Sequence, residues 1–250
     1  MSIMNVAWLF PDTLYLHGER GNILAIQKMC KNAGQDSKIT KIDFNTKDFD
    51  PLEYDLIFCP PGEVASFQPI IHWMKPYRTK LVEFISQKKI LFVTGTSIGI
   101  WCKEIKRCDN TIIKGLGILD VIATERENVY GDDNYFICKV NGKEIEVIGN
   151  QIQMLDFENK KEKPFGKLLY GFGNTGNDRE EGFINNNSIF TNTLAPMLIA
   201  NPLITKEFVK IMCYNKGIEI EDFEFDLDNI PSETTIEDAD CNLEETTEEN

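Results

Sequence analysis

The stretch Ile90-Leu91-Phe92-Val93-Thr94-Gly95-Thr96-Ser97-Ile98-Gly99-Ile100-Trp101 decides the fold. Its first four residues are apolar without alternation, as in a strand buried on both faces. Gly95 and Gly99 then punctuate a sharp turn into an apolar segment that reads as the start of a helix. Upstream, Met4 to Phe10, Lys38 to Phe44 and Asp55 to Cys59 read as further strands. Between them, Asn22 to Asn32 carries apolar residues at helical spacing and is closed by Gly34. Phe67 to Gln87 forms a long amphipathic helix interrupted near Pro76. Strands alternating with helices predict a parallel sheet flanked by helices, an α/β fold of flavodoxin-like order.

The texture changes from Tyr135 onward. Phe136 to Val140, the turn pair Asn141-Gly142 and Glu144 to Ile148 predict a hairpin. Short strands follow around Leu168 to Phe172 and Ser188 to Phe190, then a helix from Thr205 to about Tyr214, so additional antiparallel strands belong to the C-terminal half. The net charge of −14 is unevenly placed. Of the 40 acids, 14 lie beyond Gly217 without one Lys or Arg, and the 26 before it match the 26 bases. The division predicts one domain over 1–217 and an acidic, disordered tail over 218–250. A solubilising role is the plain reading of that tail; an acidic contact for a basic patch is the sharper one.

Composition also excludes several classes of function. The neutral body shows no basic stripe for nucleic acid. No run approaches the roughly 18 apolar residues of a membrane span, and no signal peptide opens the chain, which points to the cytoplasm. The seven cysteines are scattered without a Cys-x-x-Cys pair, so neither a metal site nor a disulfide framework is expected. No Gly-x-Gly-x-x-Gly follows a strand, and no cofactor is expected.

Directly after the first strand, Pro11-Asp12-x-Leu14-x-Leu16-x-Gly18-Glu19-Arg20-Gly21-Asn22-Ile23 resembles the opening of the GatD family, class I glutamine amidotransferases of the CobB/CobQ type. Matches continue in family order: Gly115 to Asp120, Phe157-Glu158-Asn159, Gly171 to Asn174 with Glu181-Gly182, and Thr191 to Pro202 with Pro196 and Asn201. The resemblance spans about residues 4 to 215. It implies a class I glutamine amidotransferase-like fold. It also implies a glutaminase that passes ammonia to a MurT-type, Mur-ligase-like partner for amidation of lipid II.

Such chemistry needs a nucleophile on the elbow, a base, oxyanion donors and an open pocket. Continued without gaps, the family cysteine falls on Thr94, followed by Gly95. In a second register, Gly95-Thr96-Ser97-Ile98-Gly99 places Ser97 at the tip, as in a Gly-x-Ser-x-Gly elbow, and resembles the serine hydrolases of the peptidase E and cyanophycinase group. The family His-Gly-Pro reads Leu194-Ala195-Pro196, so Leu194 stands where the base would be. The glycine loop after the third strand reads Cys59-Pro60-Pro61-Gly62, and Pro60 and Pro61 have no N–H to donate. A single lost oxyanion donor costs about 3 kcal/mol of transition-state stabilisation. The family Asn-His-Gly-Gly reads Asn159-Lys160-Lys161-Glu162.

His17 reads as a loop or partner contact, His72 as a helix-surface or interface residue and Cys102 as packing. Arg126, Asn159 and Asn174 are candidates for lining a rebuilt pocket, although loop Arg and Asn residues are commonly solvated or turn-forming. Taken together, the sequence predicts a GatD-like subunit that pairs with a Mur-ligase-like protein and lacks glutaminase activity. The alternative is a hydrolase or amidohydrolase using Ser97.

Overall fold

The structure, a computed structural model, describes residues 3–224. Six strands form the main sheet: β1 (Ile3–Leu9), β2 (Asp36–Ile42), β3 (Leu56–Cys59), β4 (Ile90–Thr94), β11 (Phe183–Asn185) and β12 (Ser188–Thr191). Their spatial order is β11-β12-β4-β3-β1-β2, parallel throughout except for β11, which returns antiparallel along β12. Every residue of β3, β4 and β12 is buried, as the uninterrupted apolar runs require. One face carries α1 (Arg20–Asn32) and α6 (Pro202–Asn215), packed on Met4, Val6, Phe58 and Phe92. On the other face, α2 (Phe67–Met74) and α3 (Arg78–Ser86), separated by a 3-10 turn over Lys75–Tyr77 that contains Pro76, cover Leu9, Ile57, Leu91 and Val93.

The expected helix after the elbow is short. A 3-10 turn at Gly95–Ser97 leads into a single helical turn, α4 (Ile98–Trp101), before the chain turns extended at Cys102. The turn packs tightly: a Cβ on Gly99 would meet Ile105 and Leu155 side-chain carbons at 3.0 Å. The chain then builds a second sheet from β5 (Glu104–Lys106), β6 (Ile112–Lys114), β7 (Val121–Val140), β8 (Lys143–Asn159), β9 (Gly166–Tyr170), β10 (Glu180–Glu181) and β13 (Thr193–Leu194). The hairpin turn at Asn141-Gly142 is where the sequence places it, but its arms run on to Val121 and Asn159. A bulge between Glu125 and Tyr130 interrupts the arms. A short helix, α5 (Met197–Ala200), joins β13 to α6.

The body does not stop at Gly217. Ile218, Ile220 and Phe223 pack against the α1 and α6 layer, and Asp222 pairs with Lys206 at 2.9 Å and Lys210 at 2.5 Å. These apolar side chains draw residues 218–224, expected as the start of the tail, onto the domain. The rest of the expected acidic segment, 225–250, lies outside the described residues. Among the described residues no helix is long and apolar enough to cross a membrane.

Candidate functional site

The elbow stands at the carboxyl end of β4, between the loops that follow β1 and β3 and the segment 192–198. Its one position of positive φ is Gly95, at +57°. Thr94 is still in extended conformation and Ser97 is helical, so the strained tip carries no side chain in either register. All three hydroxyls around it are buried and turned inward. Thr94 Oγ1 donates to Glu19 Oε2 at 3.0 Å, Thr96 Oγ1 to the Gly62 carbonyl at 2.6 Å, and Ser97 Oγ to the Pro60 carbonyl at 2.6 Å. The Gly62 N–H, the donor left in a loop where Pro60 and Pro61 have none, is directed at Thr96 Oγ1 at 3.2 Å.

The tip is closely flanked by two apolar side chains. A Cβ placed on Gly95 would lie 3.1 Å from Leu194 Cδ2 and 3.1 Å from Pro61 Cβ. The residue at the base position and the proline of the donor loop thus both lie beside the elbow tip. Cys59 and Cys102, nearby in sequence, are fully buried. Burial pushes the Cys59 thiol up to about 12, far from a thiolate at neutral pH, and Cys102 Sγ faces the Ile98 carbonyl at 3.3 Å as a packing residue.

Two buried carboxyl groups fix this arrangement; both lie in the family-like runs, but the sequence assigned neither a place in the site. Glu19 Oε2 accepts from Asn22 Nδ2 at 2.6 Å as well as from Thr94. Asn22 Oδ1 in turn accepts from the Leu198 N–H at 2.8 Å. Gly21 lies against the same segment so closely that a Cβ would fall 2.6 Å from Pro196 Cγ. Burial raises the Glu19 pKa to about 7, against the opposing hydrogen bonds from Thr94, Asn22 and the Ala195 backbone.

On the far side, Glu181 accepts from the Thr191 hydroxyl, the Asn192 N–H at 3.0 Å, Asn192 Nδ2 at 3.0 Å and Thr193 Oγ1 at 3.1 Å. Asn174 Oδ1 takes the Gly182 N–H and Asn192 Nδ2, both at 2.8 Å. Both family-like runs, Gly18 to Asn22 and Gly171 to Gly182, therefore converge on the segment that carries Leu194. That segment is strained next to it: Ala195 has φ +82° where the family pattern has glycine.

Arg126 and Asn159 are not part of this arrangement, which corrects their expected place in a pocket. Arg126 sits in the β7 bulge, paired with Asp156 at 2.7 Å across the hairpin and stacked 4.4 Å from the Tyr130 ring. Asn159 closes its own turn, donating to the Glu162 carbonyl and accepting the Glu162 N–H, both at 2.8 Å. Asn174 belongs to the buried network rather than to a cavity wall. His17 lies in an exposed turn with φ +62°, and His72 is exposed on α2. Among the described residues no cluster of His, Cys, Asp and Glu has the makings of a metal site, and the six described cysteines are free.

No protein-family model matches the chain. Among curated proteins it is 25% identical over 235 residues to the GatD subunit of the glutamine-hydrolysing lipid II isoglutaminyl synthase of Staphylococcus aureus, covering 90% of this chain and 91% of that one. The corresponding subunit of Streptococcus pneumoniae is 20% identical over 229 residues, covering 88% and 86%. Among solved structures, PurLQS from Thermotoga maritima superposes with a TM-score of 0.51 at 12% identity, covering 85% of this chain and 96% of that one. The chain is GatD-like over nearly its whole length and has the class I glutamine amidotransferase-like fold.

The buried acid gives a signed pH dependence. An unfolded glutamate titrates near 4.5 and Glu19 in the fold near 7, so between these values the folded chain holds the extra proton. Its contribution to stability is fully present below about 4.5 and is lost as pH rises through 7. Relative to Glu19→Gln, wild type should lose about 2–3 kcal/mol between pH 5 and 8 in denaturant titrations; a difference independent of pH would refute the assignment. Gly95→Ala should lower stability by about 1–3 kcal/mol through its positive φ and the contacts with Leu194 and Pro61, measured the same way.

Proposed function

We propose that this chain is a GatD-like subunit that works in the cytoplasm beside a MurT-type, Mur-ligase-like partner. The assembly would be of the lipid II isoglutaminyl synthase type, with this chain as a binding or regulatory subunit that has no glutaminase activity. The relatives, named as subunits of that synthase, support the kind of assembly. The observation that carries the inactive reading is that Leu194 and Pro61, neither of which can exchange a proton, flank the elbow at Gly95.

The chemistry agrees with the geometry. A hydroxyl becomes a nucleophile when a base removes its proton. Here Ser97 donates to a carbonyl, which accepts no proton at neutral pH, and Thr94, which donates to Glu19 Oε2, is fully buried and offers a substrate no approach. An oxyanion would find the two prolines where donors are needed and the Gly62 N–H engaged. Ser97, fully buried, offers an incoming ester or amide no approach, so the hydrolase alternative gains nothing from its placement.

The purified chain, alone and with its Mur-ligase-like partner, should release no glutamate from glutamine in a coupled dehydrogenase assay, while the two proteins co-elute. Glutamate release that disappears on Thr94→Ala or Ser97→Ala would overturn the inactive reading. Failure to co-elute would overturn the partnership. A fluorophosphonate probe should leave Ser97 unlabelled.

A further inference from the structure

After the last helix the sequence runs Ile218-Glu219-Ile220-Glu221-Asp222-Phe223-Glu224, apolar residues set among acids. Gly217, at φ +67°, turns the chain back, and the Ile218 N–H donates to the Cys213 carbonyl at 2.9 Å to close the helix end. From 219 to 224, among the described residues, no backbone group bonds to the body. Side chains alone hold this segment. Ile218, Ile220 and Phe223 lie half-buried against the α1 and α6 layer, while Glu219, Glu221 and Glu224 are exposed.

The receiving surface is built by α6 and the hairpin tip. Lys206 and Lys210, neighbours on one face of α6, both reach Asp222, at 2.9 Å and 2.5 Å. Their side chains are only 12% and 19% exposed against 72% for Asp222, so apolar stems lie inside and the charges meet at the rim. Lys206 Nζ also lies 5.0 Å from the centre of the Phe223 ring, so one ammonium reads a carboxylate and an aromatic face side by side. Lys210, and after it Lys206, hold the Asp222 carboxyl well below the usual carboxylate range. The buried acid of this helix, Glu207, is engaged elsewhere, by Lys143 at 2.6 Å and Asn141 Nδ2 at 2.7 Å from the hairpin tip.

We propose that this surface is a docking site for a short acidic peptide of the pattern apolar-x-apolar-x-acid-aromatic, and that residues 218–224 occupy it in cis as a releasable strap. A peptide of that pattern is seated there already, which commits the surface to one kind of guest. A basic segment would meet Lys206 and Lys210, and a wholly acidic one would leave the apolar layer uncovered. Release follows from how the strap is held. It has no backbone ladder, its anchors are half-exposed, and its ion pairs lie at the surface, where salt screens them. Tethering gives the strap a high effective concentration, so a partner protein carrying such a segment takes the surface by displacing it. None of this depends on the function proposed above, and its test is separate.

The probe is a fluorescein-labelled synthetic peptide with the sequence of residues 217–224. The receptor is the full-length chain carrying Asp222→Lys and Phe223→Ser, which releases the strap; both positions lie outside helices and strands and neither is buried, so the variant keeps the fold. Fluorescence anisotropy should give a Kd on the order of 100 µM. Wild type, its surface occupied, should bind at least about tenfold more weakly. Lys210→Glu in the released chain, or Phe223→Ala in the peptide, should each weaken binding by about tenfold. The unaltered chain gives a second measurement. No Lys or Arg lies beyond Gly217, so the last tryptic site follows Lys216, and excess unlabelled peptide, itself free of Lys and Arg, should speed cleavage there by displacing the strap. No binding to the released chain at about 1 mM peptide, equal binding to released and wild-type chains, equal binding of the same residues in scrambled order, or cleavage indifferent to the peptide would each overturn the proposal.

Discussion

The carboxyl group of Glu19 is the constraint on which the candidate site depends. A carboxyl taken out of water must either be neutral or be surrounded by donors. This one is 1% exposed and draws donors from Thr94 at the end of β4, from Asn22 three residues along the chain in the first turn of α1, and from the Ala195 backbone beyond β13. Each donor thereby fixes a segment, and the segments are those a glutaminase would use for nucleophile and base. Thr94 suits this duty better than a cysteine would, since a hydroxyl donates a stronger hydrogen bond than a thiol. The same engagement takes the hydroxyl away from any substrate.

Glu181 repeats the pattern on the other side of the 191–195 segment, with donors from Thr191, Asn192 and Thr193. Polar interactions thus set where the segment runs, and the apolar contact follows from which side chain it carries. With Leu194 there, the polar frame delivers a methyl group beside Gly95, where the Pro61 ring also lies. The two acids supply position, and the leucine and proline supply closure. Restoring a histidine at 194 alone would leave the Pro61 ring in contact with the tip and the donor loop without its amides. Several changes at once would be needed to reopen the site, because each element contributes a different part of it.

The parallel sheet was legible because strands buried on both faces have apolar runs without alternation, and the hairpin because Asn141-Gly142 allows few other turns. The first half of β7 was not legible. Glu125 to Asp133 is polar and contains a bulge, so period-two alternation breaks down where Arg126 and Tyr130 turn toward Asp156. The departures at Thr94, Leu194, Pro60 and Pro61 could be read from the residues, but their mutual contact could not, since it arises from strands and loops far apart in the chain. Glu19 and Glu181 were hidden for a related reason. A glutamate among polar and glycine residues has the local signature of a solvated loop, and only tertiary packing removes its water. Arg126 and Asn159 failed as pocket residues because each finds a nearby partner, a fact that depends on hairpin register and turn geometry.

The family-like runs are held in place by contacts within the chain itself. Gly21 is demanded by Pro196, Asn22 by the Leu198 N–H, Asn174 by Gly182 and Asn192, and Glu181 by three consecutive residues of 191–193. These demands arise inside one chain and would hold with or without a partner subunit. Retention of the runs is therefore a property of the fold, and the case for partnership rests on the relatives. Within the same run, Asp12, Tyr15 and Arg20 answer to no such internal demand, since all three are exposed and line a cleft beside β1 and β2. Where the fold does not explain a residue, the chemistry it presents to solvent is the better guide to what it does.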